Sequence, residues 1–170
     1  MTAAIAPSPF SALSVAEGPA LLNLLIVDNE RAVREACREA ASALGYRTTA
    51  AESAEHALRV IDAHNIDVVL LDLKLPGAGG LEALRQLKKV RPDIEVVVVT
   101  GHGTVESAVH AMKTGAYDYM TKPFSLEELK LLLSRVASHL KLKIREPRAA
   151  RKNQVTARLR QHHRTRPGDG

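Results

Sequence analysis

Tryptophan is absent from this 170-residue chain, and three Tyr with two Phe bring the aromatic share to only 3%. Aliphatic side chains must therefore fill any core. Cysteine is nearly absent as well. Cys37 stands alone, so no disulfide can form within one chain, which fits a reducing compartment. Its neighbours Arg34, Glu35, Ala36 and Ala40 mark an ordinary helical position. No apolar run approaches the ~20 residues of a membrane span, and the amino terminus lacks the basic start and apolar stretch of a secretory signal. A cytoplasmic protein with no membrane contact is the expectation.

Hydrophobic residues make up 45% of the chain, and this Ala/Leu/Val-rich balance suits helices laid against a buried parallel sheet. The formal charge of +5 is unevenly placed. Residues 1–140 hold 14 Lys and Arg against 17 Asp and Glu, while residues 141–170 hold 10 against 2. The excess basicity lies in the tail, and the folded part is mildly acidic.

Residues 1–20 are rich in Ala, Ser and Pro without a period, which predicts a disordered leader. From Leu21, short apolar runs alternate with longer amphipathic stretches, the pattern of βα units. Strands are expected at about 22–27, 46–50, 67–73, 94–101 and 116–120. The third, "DVVLLDL", is apolar on both faces and hence central. Helices are expected at about 30–44, with Val33, Cys37, Ala40, Ala41 and Leu44 inward, and from Ser53 to about His64. Further helices follow the Pro76–Gly80 loop to about Val90, and run from Thr104 to about Gly115. A last one starts at a Ser125/Glu128 capping box, with Leu126, Leu129, Leu132, Leu133, Val136 and Leu140 inward and Leu142 and Ile144 extending it. Together these predict an α/β domain: a doubly wound, five-stranded parallel sheet with five helices.

In such a sheet, functional groups gather beyond the carboxyl ends of the strands. Asp28 and Asn29 follow the first strand, Asp72 ends the third, Thr100 ends the fourth and Lys122 follows the fifth. Two carboxylates and an amide oxygen suit a hard divalent cation such as Mg2+. A hydroxyl and an ammonium beside them could bind phosphoryl oxygens. The bland readings are a strand-end cap for Asp72, turn chemistry for Thr100 before Gly101 and a core-edge aromatic for Tyr119. Gly77, Gly79 and Gly80 fit no Walker or dinucleotide pattern and are read as loop and helix-start residues. His56, His64, His110 and His139 are read as surface positions on helices.

"LLIVDNE", "VVLLDLKLPG", "VVVVTG" and "GAYDYMTKPF", in that order, resemble the receiver domain of two-component response regulators. The match covers about residues 21–140, and its last part is most similar to NtrC-like and FixJ-like receivers. The resemblance implies a flavodoxin-like (CheY-like) sheet of order 2-1-3-4-5. It also implies phosphoryl transfer from a sensor histidine kinase to Asp72. Mg2+ would be held by Asp28, Asn29, Asp72 and the backbone carbonyl of Lys74. Lys122 and Thr100 would bind the phosphate, and Tyr119 would follow Thr100 inward. The Lys122–Pro123 bond would be cis. The switched surface would be formed by the fourth helix, fifth strand and fifth helix, which would also serve a homodimer. The protein would be a phosphoacceptor switch rather than an enzyme, with an unidentified output partner.

At Asn29 the family usually has a second acidic residue, which implies weaker Mg2+ binding here. Glu30 could compensate for that lost charge, but its favoured reading is a helix-start charge set against the dipole. The receiver is expected over 21–141, with 142–170 a basic tail, disordered or partly helical. Few apolar positions occur there beyond Val155 and Leu159, too few for a helix-turn-helix core. Binding of nucleic acid by that tail is the alternative reading. NtrC-like receivers precede an ATPase and a DNA-binding domain. Neither pattern is present, so the chain is expected to be a stand-alone receiver or a shortened regulator.

Overall fold

The computed structural model describes residues 21–77, 79–101 and 104–144. The expected leader and nearly all of the expected tail, with Val155 and Leu159, lie outside the described residues. Five strands, β1 (Asn23–Val27), β2 (Arg47–Ala51), β3 (Val68–Leu71), β4 (Glu95–Thr100) and β5 (Asp118–Thr121), form one sheet of order β2-β1-β3-β4-β5. Every neighbouring pair is parallel. The helices between and after them are α1 (Arg31–Ala43), α2 (Ala54–Ala63), α3 (Gly80–Val90), α4 (Val105–Thr114) and α5 (Leu126–Ile144). The predicted architecture and strand order are both observed.

Burial explains the strand order. All four residues of β3 and all six of β4 are buried, whereas β2 and β5 are mostly half-buried. The chain thus places its apolar-on-both-faces segments in the middle and its mixed ones at the edges. Leu25, Val27, Val69, Leu71, Val96 and Val98 line one face under Ala57, Ile61, Leu84, Leu87 and Ala111 of α2, α3 and α4. Helix α1 contacts β1 and β2 and buries Cys37, Ala40 and Ala41.

Local chemistry sets the ends of the elements. Ser53 accepts the His56 N–H at 3.2 Å. Thr104 and Ser107 cap α4 reciprocally, and Gly115 closes that helix at φ +111°, a conformation that disfavours a Cβ. Ser125 and Glu128 exchange bonds of 3.1 and 3.4 Å, the expected capping box. Gly80 is needed for a different reason. Its own Cβ would lie 2.1 Å from the Leu73 Cα, so only glycine lets α3 start against the loop after β3.

Several expectations need correction. β3 stops at Leu71, so Asp72 and Leu73 lie in the loop beyond it. β5 starts two residues late and runs through Thr121, which still pairs with Thr100 of β4. Leu44 and Leu126, both expected inward, are 40% exposed; each lies at a helix end, where the inward stripe runs out. His56 and His139 are half-buried rather than exposed. Helix α5 divides after Lys130 between two compact units. Within the second unit Leu132, Leu133, Val136 and Leu140 are buried, and the helix takes in residues 142–144.

Candidate functional site

The sequence places a carboxylate one residue past each of two adjacent parallel strands. Asp28 follows β1, and its N–H donates to the Ala51 carbonyl at 3.2 Å. Asp72 follows β3, and its N–H donates to the Val27 carbonyl at 3.0 Å. The ladder therefore carries on far enough to orient both side chains. Each then forms the same short turn: Asp28 Oδ1 accepts the Glu30 N–H at 2.8 Å, and Asp72 Oδ1 accepts the Lys74 N–H at 2.9 Å. Carboxylate-to-backbone bonds two residues on are a common way for Asp to fix a turn.

Lys122 closes the arrangement. Its Nζ lies 2.6 Å from Asp28 Oδ2 and 3.2 Å from Asp72 Oδ2. The two acid side chains are each 4% exposed and the lysine 15%. Two buried carboxylates without a counter-charge would be costly; one shared ammonium partly offsets them and leaves one net negative charge. Burial by itself pulls the Lys122 ammonium down, but the Asp28 hydrogen bond and the charges of Asp28 and Asp72 outweigh it. The ammonium therefore titrates above its ordinary range. The Lys122–Pro123 peptide bond is cis, and the Lys122 N–H donates to the Thr100 carbonyl at 2.9 Å.

The remaining predicted residues surround this centre unequally. Thr100 is buried at the end of β4. Lys74 is exposed, and it lines the cavities on both sides of the loop after β3. One cavity, of about 550 Å³, runs from Asp72 and Lys122 to Val33, Pro123 and Phe124; the other, of about 630 Å³, runs from Thr100 to Ser107 and Gly80. Asn29 is exposed and does not line the first cavity. Tyr119 stands apart from the acids: its ring is half-buried against the core, with its hydroxyl 3.5 Å from Ser107 Oγ.

Two participants were not foreseen from the sequence, and a third, Glu30, was foreseen only as the lesser of two readings. Arg34 donates to the Asp28 carbonyl at 2.9 Å and approaches Glu52 at 3.6 Å, tying the turn after β1 to α1 and to the end of β2. Its spacing of six from Asp28 was the available signal. Ser107 joins the α4 cap to Tyr119. Glu30, read as a dipole charge, makes no side-chain cap bond and lies 3.8 Å from Lys122 Nζ.

The donor chemistry suits Mg2+. Asp28 and Asp72 offer buried hard oxygens, and Mg2+ favours oxygen ligands while keeping several waters. Among the described residues no group of three or more His, Cys, Asp or Glu could by itself hold a metal. The site is therefore an open dicarboxylate, not a closed cage.

A doubly wound sheet with two acids and a lysine beyond its carboxyl edge defines a class of α/β domain whose functional groups gather at that edge. Residues 24–134 match the response regulator receiver domain, and the chain belongs to that family. It is 39% identical over 124 residues to a putative NtrX-like response regulator of Rickettsia typhi, covering 72% of this chain and 26% of the relative. It is 35% identical over 132 residues to the DNA-binding transcriptional regulator NtrC of Klebsiella pneumoniae, covering 78% and 28%. The chain thus spans about a quarter of the length of these relatives. Among solved structures, the receiver domain of NtrX from Brucella abortus is 37% identical with a TM-score of 0.64, covering 68% of this chain and 98% of that one. A CheY-like receiver domain protein from Methanospirillum hungatei has a TM-score of 0.70 at 27% identity, covering 73% and 99%.

Proposed function

We propose that Asp72 accepts a phosphoryl group from a phosphohistidine of a sensor kinase. The observation that carries this reading is the buried Asp72 carboxylate sharing the Lys122 ammonium with Asp28. An Asp72 oxygen would form the new O–P bond as the N–P bond of the phosphohistidine breaks, leaving the kinase imidazole as the departing group. Asp28, Asn29, Asp72 and the Lys74 carbonyl would hold Mg2+. The ion, when bound, would neutralise charge on the phosphoryl oxygens, the main contribution a protein site makes to such a transfer.

The chain's own groups do the rest. Lys122 already lies against the acceptor and would pair with the new phosphate instead of the bare carboxylates. Thr100, at the end of the adjacent strand, would donate its hydroxyl to a phosphate oxygen. Tyr119 would then leave Ser107 and turn inward, changing the α4 and β5 surface for an output partner or a second copy of the chain. The domain acts as a switch whose chemistry is done on itself, in the cytoplasm.

Intact mass after incubation with a small acyl phosphate and Mg2+ tests the reading. A single phosphate-sized addition is expected, lost in Asp72→Asn. No addition under saturating donor would overturn it.

A further inference from the structure

Glu30 has the geometry of a helix start without doing that job. It is the N-cap residue of α1: its N–H is held by Asp28 Oδ1 and its carbonyl accepts the Arg34 N–H at 3.1 Å. Its carboxylate caps nothing. It instead lines the cavity shared with Asp72 and Lys122, 63% exposed and 3.8 Å from the lysine nitrogen. At that distance and exposure the pair contributes little as it stands.

Its use becomes apparent when charges are counted with the site loaded. A dication between Asp28 and Asp72, together with the Lys122 ammonium, sets three positive charges against two negative ones. Asn29, where the family usually carries an acid, cannot close that gap. Glu30 is the third carboxylate beside Lys122, and including it brings the count to zero. Like charges also repel, so the ammonium must loosen its grip on a carboxylate pair that a dication has taken.

Resting on the metal-site reading above, we propose that Glu30 is a positioning residue that receives the Lys122 ammonium when a divalent cation occupies Asp28 and Asp72. It thereby offsets the charge missing at Asn29. Lys122 would stay at the mouth of the site, displaced from the acids yet ready to meet an incoming phosphoryl group. The device works through the lysine, with Glu30 not itself a metal ligand.

The test is titration of the whole chain with Mg2+ alone, followed by amide nuclear magnetic resonance shifts near Asp72. Glu30→Gln, which is isosteric, should weaken Mg2+ binding about three- to tenfold, the scale of losing one partly screened ion-pair partner for the displaced ammonium. Glu39→Gln, an equal charge loss farther along α1, should leave affinity unchanged. In Lys122→Met the Glu30→Gln effect should largely vanish. An effect of full size there would make Glu30 a direct partner of the metal and overturn the proposal. Equal affinities of wild type and Glu30→Gln would also overturn it. Absence of any Mg2+ binding by the wild type, or binding undiminished in Asp72→Asn, would overturn the metal-site reading first and this proposal with it.

Discussion

Replacing Lys122 with Met should destabilise the protein in a way that Mg2+ repairs. The substitution keeps most of the side-chain volume and removes the one charge that, among the described residues, is bonded to both Asp28 and Asp72, at 2.6 and 3.2 Å. Removing one partner from a fully buried ion pair costs about 3–5 kcal/mol. Here the lysine is 15% exposed and the site opens onto a cavity, so water relieves part of the charge and about 2–3 kcal/mol is the better figure. For a domain of this size that corresponds to a fall in Tm of roughly 6–12 °C. With no Trp in the chain, circular dichroism at helical wavelengths is the suitable readout. Millimolar Mg2+ should raise the Tm of the variant more than that of the wild type, because the cation then supplies the missing positive charge. Asp28→Asn combined with Lys122→Met should cost clearly less than the two single changes together, as residues in one network are not additive. A Lys122→Met change below about 0.5 kcal/mol, or strict additivity with Asp28→Asn, would refute the shared-ammonium account.

Gly80→Ala should cost at least about 3 kcal/mol in urea unfolding, since its Cβ would lie 2.1 Å from backbone that cannot move without dragging the Asp72 loop; a near-neutral result would show that the loop yields easily. Thr104→Ala should cost about 1 kcal/mol and lower hydrogen-exchange protection in the first turn of α4, where Thr104 and Ser107 cap each other; unchanged protection would show the cap to be idle. Burial, with the Asp28 charge adding and Lys122 opposing, pushes the Cys37 thiol up to about 11. It should resist alkylation at pH 8 in the native protein and react once urea unfolds the chain. An unfolded thiol ionises near ~8.5, so the native advantage is complete below that pH and is lost as pH rises toward 11. Cys37→Ala should therefore lose less stability than the wild type between pH 8 and pH 10, and equal losses would contradict the assignment.

The parallel sheet, its central third strand and the core were readable in the sequence because the physics there is local, whereas the full strand order was implied by the family resemblance. A run such as Val68–Leu71 that is apolar at every position has to be covered on both sides, and Arg47–Ala51 with its two threonines belongs at an edge. That Asp28, Asp72 and Lys122 meet was readable because parallel strands deliver their carboxyl ends to the same rim, whereas the Thr100 side chain lines the neighbouring cavity. What the sequence hid is side-chain direction. Nothing in "VDNE" says that Glu30 leans toward Lys122 rather than capping α1, and nothing in the α4 sequence says that Ser107 meets Tyr119. Arg34 reaches back to the Asp28 carbonyl across a helical turn, a contact set by the entry angle of α1. Leu44 was misplaced for a similar reason: the helix ends before its inward face comes round again.

The proposed switch turns on one side chain, Asp72. The most direct measurement is borohydride reduction of the protein after incubation with a small acyl phosphate and Mg2+, followed by peptide mass mapping. Reduction converts an aspartyl phosphate to homoserine and so marks the acceptor permanently. The account predicts the mark at residue 72 alone, absent without Mg2+ and absent in Asp72→Asn. A mark at Asp28 or elsewhere with Asp72 unmodified would contradict it.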